Sequence, residues 1–386
     1  MSQGIDLAAN QPHWPSGGGI DGRPLSGVRV VDLSRILAGP YCTMVLADLG
    51  ADVIKIEPPG GDETRRFGPP FSGDTAAYFA SANRNKRSIV LDLKQQRDLA
   101  ILGQLVVGAD VVVHNYTERV SAQLGVDAGW VAERNPRCIV CRVSGFGAGS
   151  DEPAYDLVLQ AASGLMSITG QPDGPPTKVG VAVTDVAAGL FAAVGILAEL
   201  FARGRGDRGG EVEVSILDSA LALLVNQAAS WLAGGDEPQR WGNDHPSIVP
   251  YALFPTADGD LVLAVGSDRQ FGALVEVLGI AGLAQDPRFA TNPDRVRNRS
   301  ALRAVLEEKL SARGAEDWRQ LLQLAGVPCG RVRSVGEALT AAGDRLVARL
   351  SRADGPDQAQ LMSPIRLDGD YLRPYKPPPD LGGEAL

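Results

Sequence analysis

Cysteine is scarce in this chain: Cys42, Cys138, Cys141 and Cys329 are the only four in 386 residues. Four thiols in a chain this long exclude a disulfide-stapled secreted scaffold. Cys138 and Cys141 form a CxxC, but they lie in Cys138-Ile139-Val140-Cys141-Arg142-Val143, which has the pattern of a buried strand. No second CxxC and no suitably spaced histidine accompanies them, so no metal site is expected, and reduced thiols in a cytoplasmic protein are the simpler reading. Histidine is rarer still, with His13, His114 and His245. Lysine is confined to Lys55, Lys86, Lys94, Lys178, Lys309 and Lys376, and the net charge of −9 leaves no basic surface for general nucleic-acid binding. No run of the length that spans a bilayer occurs. The most lipid-like stretch, Val186 to Ala202, falls short of ~20 residues and contains Glu199. It is expected as a helix buried within the protein or between two subunits. No basic region followed by an apolar run opens the chain, so no secretory signal is expected.

What is present is an ordinary soluble composition, 44% hydrophobic and 22% charged, sufficient for one large or two ordinary cores. From Leu25 onward strand and helix signals alternate. Short strands are expected at Val28 to Leu33, Ala51 to Glu57, Ser88 to Asp92, Ala109 to His114, Cys138 to Ser144 and Glu211 to Val214. Helices are expected at Tyr41 to Leu49, Gln96 to Val107 and Leu217 to Leu232, besides the apolar stretch. This alternation argues for an α/β fold with a Rossmann-like parallel sheet covered on both faces. Beyond Val249 the texture changes to short strands followed by helices, a smaller α/β domain. The expected organisation is a flexible arm over 1–22, a large domain over 23–232 and a small domain over 233–330. A return segment to the large domain, with a proline-rich tail, follows over 331–386.

A strand, turn, helix and second strand ending in Glu57 imitates a dinucleotide-binding unit. The turn decides against it. Ser34-Arg35-Ile36-Leu37-Ala38-Gly39-Pro40 has one glycine where a pyrophosphate loop needs GxGxxG, and its side chains would block the approach of a phosphate to the backbone. The crevice at the carboxyl ends of the parallel strands remains as the expected ligand site.

An ordered set of segments carries a resemblance. Leu25-Ser26-Gly27-Val28-Arg29-Val30-Val31-Asp32-Leu33 runs on to Ala38-Gly39-Pro40, and Leu49-Gly50-Ala51-Asp52-Val53-Ile54-Lys55-Ile56-Glu57 follows. Then come Gly61-Asp62-Glu63-Thr64-Arg65, Asn85-Lys86-Arg87-Ser88-Ile89, Ser144-Gly145-Phe146-Gly147 and Pro153-Ala154-Tyr155-Asp156. His245-Pro246-Ser247-Ile248-Val249-Pro250-Tyr251, Gly326-Val327-Pro328-Cys329-Gly330 and Ser363-Pro364-Ile365-Arg366 complete it. Together they resemble the family III CoA-transferases, in order, from about residue 25 to 370.

The resemblance implies transfer of coenzyme A from an acyl-CoA to a carboxylic acid, with Asp185 as nucleophile and Tyr155 as its catalytic companion. Aspartyl anhydride and aspartyl-CoA thioester intermediates are expected, with CoA a substrate and no permanently bound cofactor. It also implies that Arg35, Ile36, Leu91, Lys94, Asn115 and Tyr116 surround CoA, that Leu37 and Phe67 border the substrate, and that two chains form an interlocked ring dimer. Gly234, Gly235 and Gly242 are the glycines available for a lid. From local sequence alone Asp185 reads first as an N-cap ahead of an apolar helix. Related α-methylacyl-CoA racemases pair the aspartate with a histidine thirty positions earlier. Position 155 is tyrosine here, and a phenol with an ordinary pKa near ~10 is a poor base at neutral pH. A racemase, or a CoA-binding homologue without catalysis, are the competing readings.

Overall fold

A computed structural model describes residues 14–73, 75–206, 208–351 and 357–384, which divide into two compact units. The larger comprises residues up to Met166, Lys178–Asp236 and Ala342 onward; the smaller comprises Ser167–Thr177 and Glu237–Ala341. Of the N-terminal arm, residues 1–13 lie outside the described residues. Next to them, the Trp14 indole donates to Asp52 at 2.6 Å.

The larger unit is built on six parallel strands: β1 (Arg29–Asp32), β2 (Asp52–Glu57), β3 (Lys86–Val90), β4 (Val111–His114), β5 (Ile139–Ser144) and β6 (Glu211–Ser215), in the spatial order β3-β2-β1-β4-β5-β6. Runs such as Val111-Val112-Val113 become strands because β-branched side chains suit a pleated surface buried on both faces. Successive residues point to opposite faces, so one core takes Val30, Val53, Val111, Val113 and Ile139, and the other takes Val31, Ile54, Val112 and Val140. Helices α1 (Ala38–Asp48) and α2 (Gln96–Val107) cover opposite faces.

Four more helices belong to this unit: α3 (Asp156–Ala162), α4 (Val183–Arg203) and the pair α5 (Ile216–Ala222) and α6 (Val225–Leu232). Helix α4 packs against α1 at Gly189, where a Cβ would come within 2.6 Å of the Ala38 carbonyl oxygen. The single helix expected from Leu217 to Leu232 is two, because Val225 adopts a positive φ of 37° and interrupts the helical path. The C-terminal tail covers β3, the sheet's edge. Gly382 N–H donates to Ser88 Oγ and Glu384 N–H to the Ser88 carbonyl, which blunts an otherwise open strand.

The smaller unit has a three-stranded antiparallel sheet, β7 (Tyr251–Pro255), β8 (Asp260–Ala264) and β9 (Cys329–Arg331), in the order β9-β8-β7. Helices α7 (Asp268–Val277), α8 (Arg299–Leu310) and α9 (Ala315–Leu324) contribute to its separate core. The two short strands β10 (Val347–Leu350) and β11 (Gln358–Leu361) belong to the larger unit.

The carboxyl end of β1, with β2 and the start of β3 beside it, encloses charge rather than hydrocarbon. Asp32, Lys55 and Lys86 are fully or nearly fully buried. The Asp32 carboxylate accepts from Ser34 N–H at 2.9 Å, from the Ser34 and Thr43 hydroxyls, and from Lys86 Nζ at 3.1 Å. Burial alone would raise its pKa, but Lys86, Lys55 and the two hydroxyls outweigh it and hold the group down at about 2. Lys86 Nζ donates also to the Pro40 carbonyl and to Asn83 Oδ1, each at 2.8 Å. Lys55 Nζ donates to the Ser34 carbonyl at 2.8 Å and pairs with Asp62 at 2.9 Å.

Removing one member of this cluster strands the others in a dry site. Asp32→Ala and Lys86→Met are each expected to destabilise the protein by about 3–5 kcal/mol in urea unfolding. The double variant is expected to cost less than the sum by about 1–3 kcal/mol. Full additivity would show that the pair is not coupled.

Candidate active site

The strand order reverses between β1 and β4, so their carboxyl ends diverge into a crevice. Residues 34–40 leave β1 there and enter α1. Gly39 is required in that turn, since a Cβ would lie 2.5 Å from Ser34 Oγ. Ile36 adopts a φ of 70°, a region a β-branched residue occupies only under constraint.

Two cavities open beside this turn. One, of about 450 Å³, is lined by Arg35, Leu91, Lys94 and Tyr116, four of the six residues expected around CoA, together with Gln123. Asn115 directs its carboxamide to the backbone of Arg35, accepting from its N–H at 3.0 Å and donating to its carbonyl at 2.8 Å. Arg35 also pairs with Glu63 at 2.9 Å. His114 stacks on Tyr116, with ring centroids 5.8 Å apart. Burial first, then the nearby Arg142 charge, pushes the His114 imidazole down to about 4, so it is neutral at pH 7.

The second cavity, of about 770 Å³, is bordered by Leu37, Tyr78, Ala182 and Val186, and on its far side by the segment 358–364. Phe67, expected at the substrate, meets Tyr78 edge-on at 5.6 Å.

Asp185 occupies the first turn of α4, between Ala182 and Val186, and is 8% exposed. It does not cap that helix. Asp156, in the first turn of α3, does so from a distance, its Oδ1 accepting from the Thr184 N–H at 3.0 Å and the Thr184 hydroxyl at 2.7 Å. Gln160 donates to the other Asp156 oxygen at 2.7 Å. With the cap supplied by Asp156, no side chain among the described residues donates a hydrogen bond to the Asp185 carboxylate. Burial, and then the Asp156 charge, raise the Asp185 pKa to about 7. Tyr78 feels the same charges: burial, Asp185 and Asp156 push its phenol up, so it keeps its proton.

Asp156 and Tyr78 went unread as site residues in the sequence. Asp156 follows Tyr155 directly in a segment already singled out, but nothing local shows which of the two faces α4. In the structure Tyr155 is the N-cap residue of α3, with its ring largely exposed. The Cys138 and Cys141 thiols are buried and pushed up to about 12. Among the described residues no group of three His, Cys, Asp or Glu side chains is placed to hold a metal ion.

The chain is similar to proteins of assigned activity. A family model described as CoA-transferase family III matches residues 25–385. A succinate–glutarate CoA-transferase of Agrobacterium fabrum is 41% identical over 374 residues, covering 93% of each chain. An acetyl-CoA:oxalate CoA-transferase of Acetobacter aceti is 41% identical over 371 residues, covering 94% of this chain and 95% of its own. A solved CaiB/BaiF family protein from Brucella suis superposes with a TM-score of 0.81 at 39% identity, covering 94% of this chain and 97% of that one.

The raised Asp185 pKa has a measurable consequence. A reaction that needs this carboxylate ionised should show kcat/KM rising with pH through about 7. Asp156→Asn should move that limb to lower pH; an unmoved limb would mean that Asp156 does not act on Asp185. The linkage has a definite sign. A folded-state pKa above the unfolded ~3.9 takes stability away as pH rises from ~4 to ~7. Asp185→Asn should therefore unfold at a higher temperature than the parent at pH 8, with the gap smaller at pH 5 and closed near pH ~4.

Proposed function

The chain belongs to CoA-transferase family III, and on that premise we propose that it exchanges coenzyme A between an acyl thioester and a free carboxylate through covalent intermediates on Asp185. The observation that carries this reading is the setting of Asp185: a buried carboxylate, unpaired by any described cation, beside an open cavity. Raised basicity makes it a better nucleophile than an exposed aspartate, and near pH 7 a large fraction is still ionised.

In the first step an Asp185 oxygen attacks the thioester carbonyl. The C–S bond breaks, the CoA thiolate leaves and a mixed anhydride forms. The thiolate then attacks the aspartyl carbonyl carbon, the anhydride C–O bond breaks, and the donor acid departs as its carboxylate. The acceptor carboxylate attacks the resulting aspartyl-CoA thioester and expels the thiolate again. Return of the thiolate to the acceptor's carbonyl releases the new acyl-CoA and regenerates Asp185. Bonds and charges balance without an oxidant or an external proton donor. Each addition develops an oxyanion, and Tyr78, which keeps its phenolic proton, is a suitable donor.

Arg35 and Lys94 offer positive charge for CoA phosphates, and Leu91 and Tyr116 offer apolar surface for the adenine. Ile36 and Asn115 belong to the same turn and strand end. Leu37 borders the acyl cavity, where a short aliphatic acid fits the apolar surface, and Phe67 stands behind its wall against Tyr78. Relatives named for succinate, glutarate and oxalate support acceptors of the dicarboxylate type. A racemase would need a second base near Asp185; Tyr155 supplies only a phenol.

Incubation with succinyl-CoA and a panel of acids should yield new acyl-CoA detectable by mass, and Asp185→Ala should lower the rate at least ~10³-fold. Exchange with no acid, or full activity in Asp185→Ala, would remove the reading. Deuterium entering the α-position of a 2-methylacyl-CoA would favour the racemase.

The apolar helix α4 supports the homodimer. Leu190, Phe191, Val194 and Phe201 are about half exposed or more, and Trp231 and Leu232 on α6 add further uncovered apolar surface. Such surface needs a cover, and a second copy provides an apolar face of matching composition. Sedimentation should give twice the 40.5 kDa chain mass. A monomer at micromolar concentration would overturn the dimer.

A further inference from the structure

Arg35 and Leu37 are two residues apart, yet they line different cavities. In an extended segment, residues i and i+2 face the same way. Ile36, at a φ of 70°, is the joint that separates them. An L-residue adopts that conformation only under constraint, and a branched Cβ makes it harder still to reach.

The residue before Ile36 is gripped by Asn115. Its carboxamide engages both polar groups of the Arg35 backbone, at 3.0 and 2.8 Å, as a neighbouring strand's peptide would. Strands β1 and β4 end in the hydrogen bond from Leu33 N–H to the Val113 carbonyl at 2.8 Å, and Asn115 extends that ladder into the turn. Either side of Ile36, Lys55 holds the Ser34 carbonyl and Lys86 the Pro40 carbonyl, each at 2.8 Å. The lysines secure the ends of the turn; Asn115 grips the residue next to the strained one.

We infer that Asn115 is a positioning residue for CoA, acting through the Arg35 backbone. It holds Ile36 in the left-handed conformation, so that Arg35 faces the smaller cavity while Leu37 faces the acyl cavity. The inference rests on the assignment of the smaller cavity to CoA. Without Asn115 the turn samples other conformations, and acyl-CoA binds only the fraction that remains competent. Because bound CoA then selects the competent turn, KM changes more than kcat.

The test is rescue. Asn115→Leu is expected to raise the acyl-CoA KM about tenfold, with kcat within about threefold of the parent. Glycine adopts a positive φ without penalty. Ile36→Gly in the Asn115→Leu background is therefore expected to restore most of the lost KM, with Ile36→Gly alone as the reference for the double variant. If Asn115 instead served CoA by direct contact, glycine at 36 would recover nothing, and that result overturns the inference. Should Asn115→Leu fold poorly, Asn115→Asp serves in its place. It keeps the acceptor for Arg35 N–H, loses the donor to the carbonyl, and should show the same rescue. The parent enzyme separates the two levels of the argument: exchange in the parent without rescue sinks only the role of Asn115, whereas no CoA binding in the parent sinks the cavity assignment.

Discussion

The buried carboxylate of Asp32 organises the site end of the larger unit. Four groups converge on it, two hydroxyls, one backbone N–H and the Lys86 ammonium, and Lys55 sits close enough to reinforce its charge. Burying ions is costly unless each donor and acceptor finds a partner. Here the partners include the Ser34 and Pro40 carbonyls, the two ends of the turn between β1 and α1. The same ions that must be satisfied for the chain to fold therefore also hold the turn. Apolar side chains would pack as well but could not grip backbone carbonyls.

The Asp185 end of α4 shows the opposite treatment of charge. Asp156 takes over the capping of α4, the role that a lone aspartate near a helix start would ordinarily play itself. Asp185 is thereby left buried, beside another carboxylate, and without a cation. The helix dipole favours its anion, but burial and Asp156 outweigh it. This arrangement is poor for stability, and it suits the proposed covalent role, because a carboxylate that is reluctant to ionise attacks carbonyl carbon more readily. Gly189 contributes from the middle of the same helix: by letting α4 approach the start of α1, it brings the Asp185 segment to the turn that carries Leu37.

Much of this was legible in the chain. The six strands follow from short β-branched runs, and the parallel arrangement from their alternation with helices. Arg35, Leu91, Lys94 and Tyr116, named from a resemblance, do line one cavity. The break at Val225 was not legible, because a run of helix-forming residues carries no mark of a single left-handed φ. Nor was the part played by Asp156, whose partner Thr184 lies 28 positions away.

The sequence by itself determined the class of the protein, since local periodicity and ordered motifs are properties of neighbours along the chain. It also argued against a glycine-rich dinucleotide loop, because the turn has a single glycine. Only the tertiary structure decided which acid caps α4 and which is left free. Only there does the Asn115 side chain meet the backbone of Arg35, 80 residues away. The reason is physical: a carboxylate's pKa and an amide's partner depend on what lies within a few ångströms, and strand order, rather than sequence separation, sets those distances.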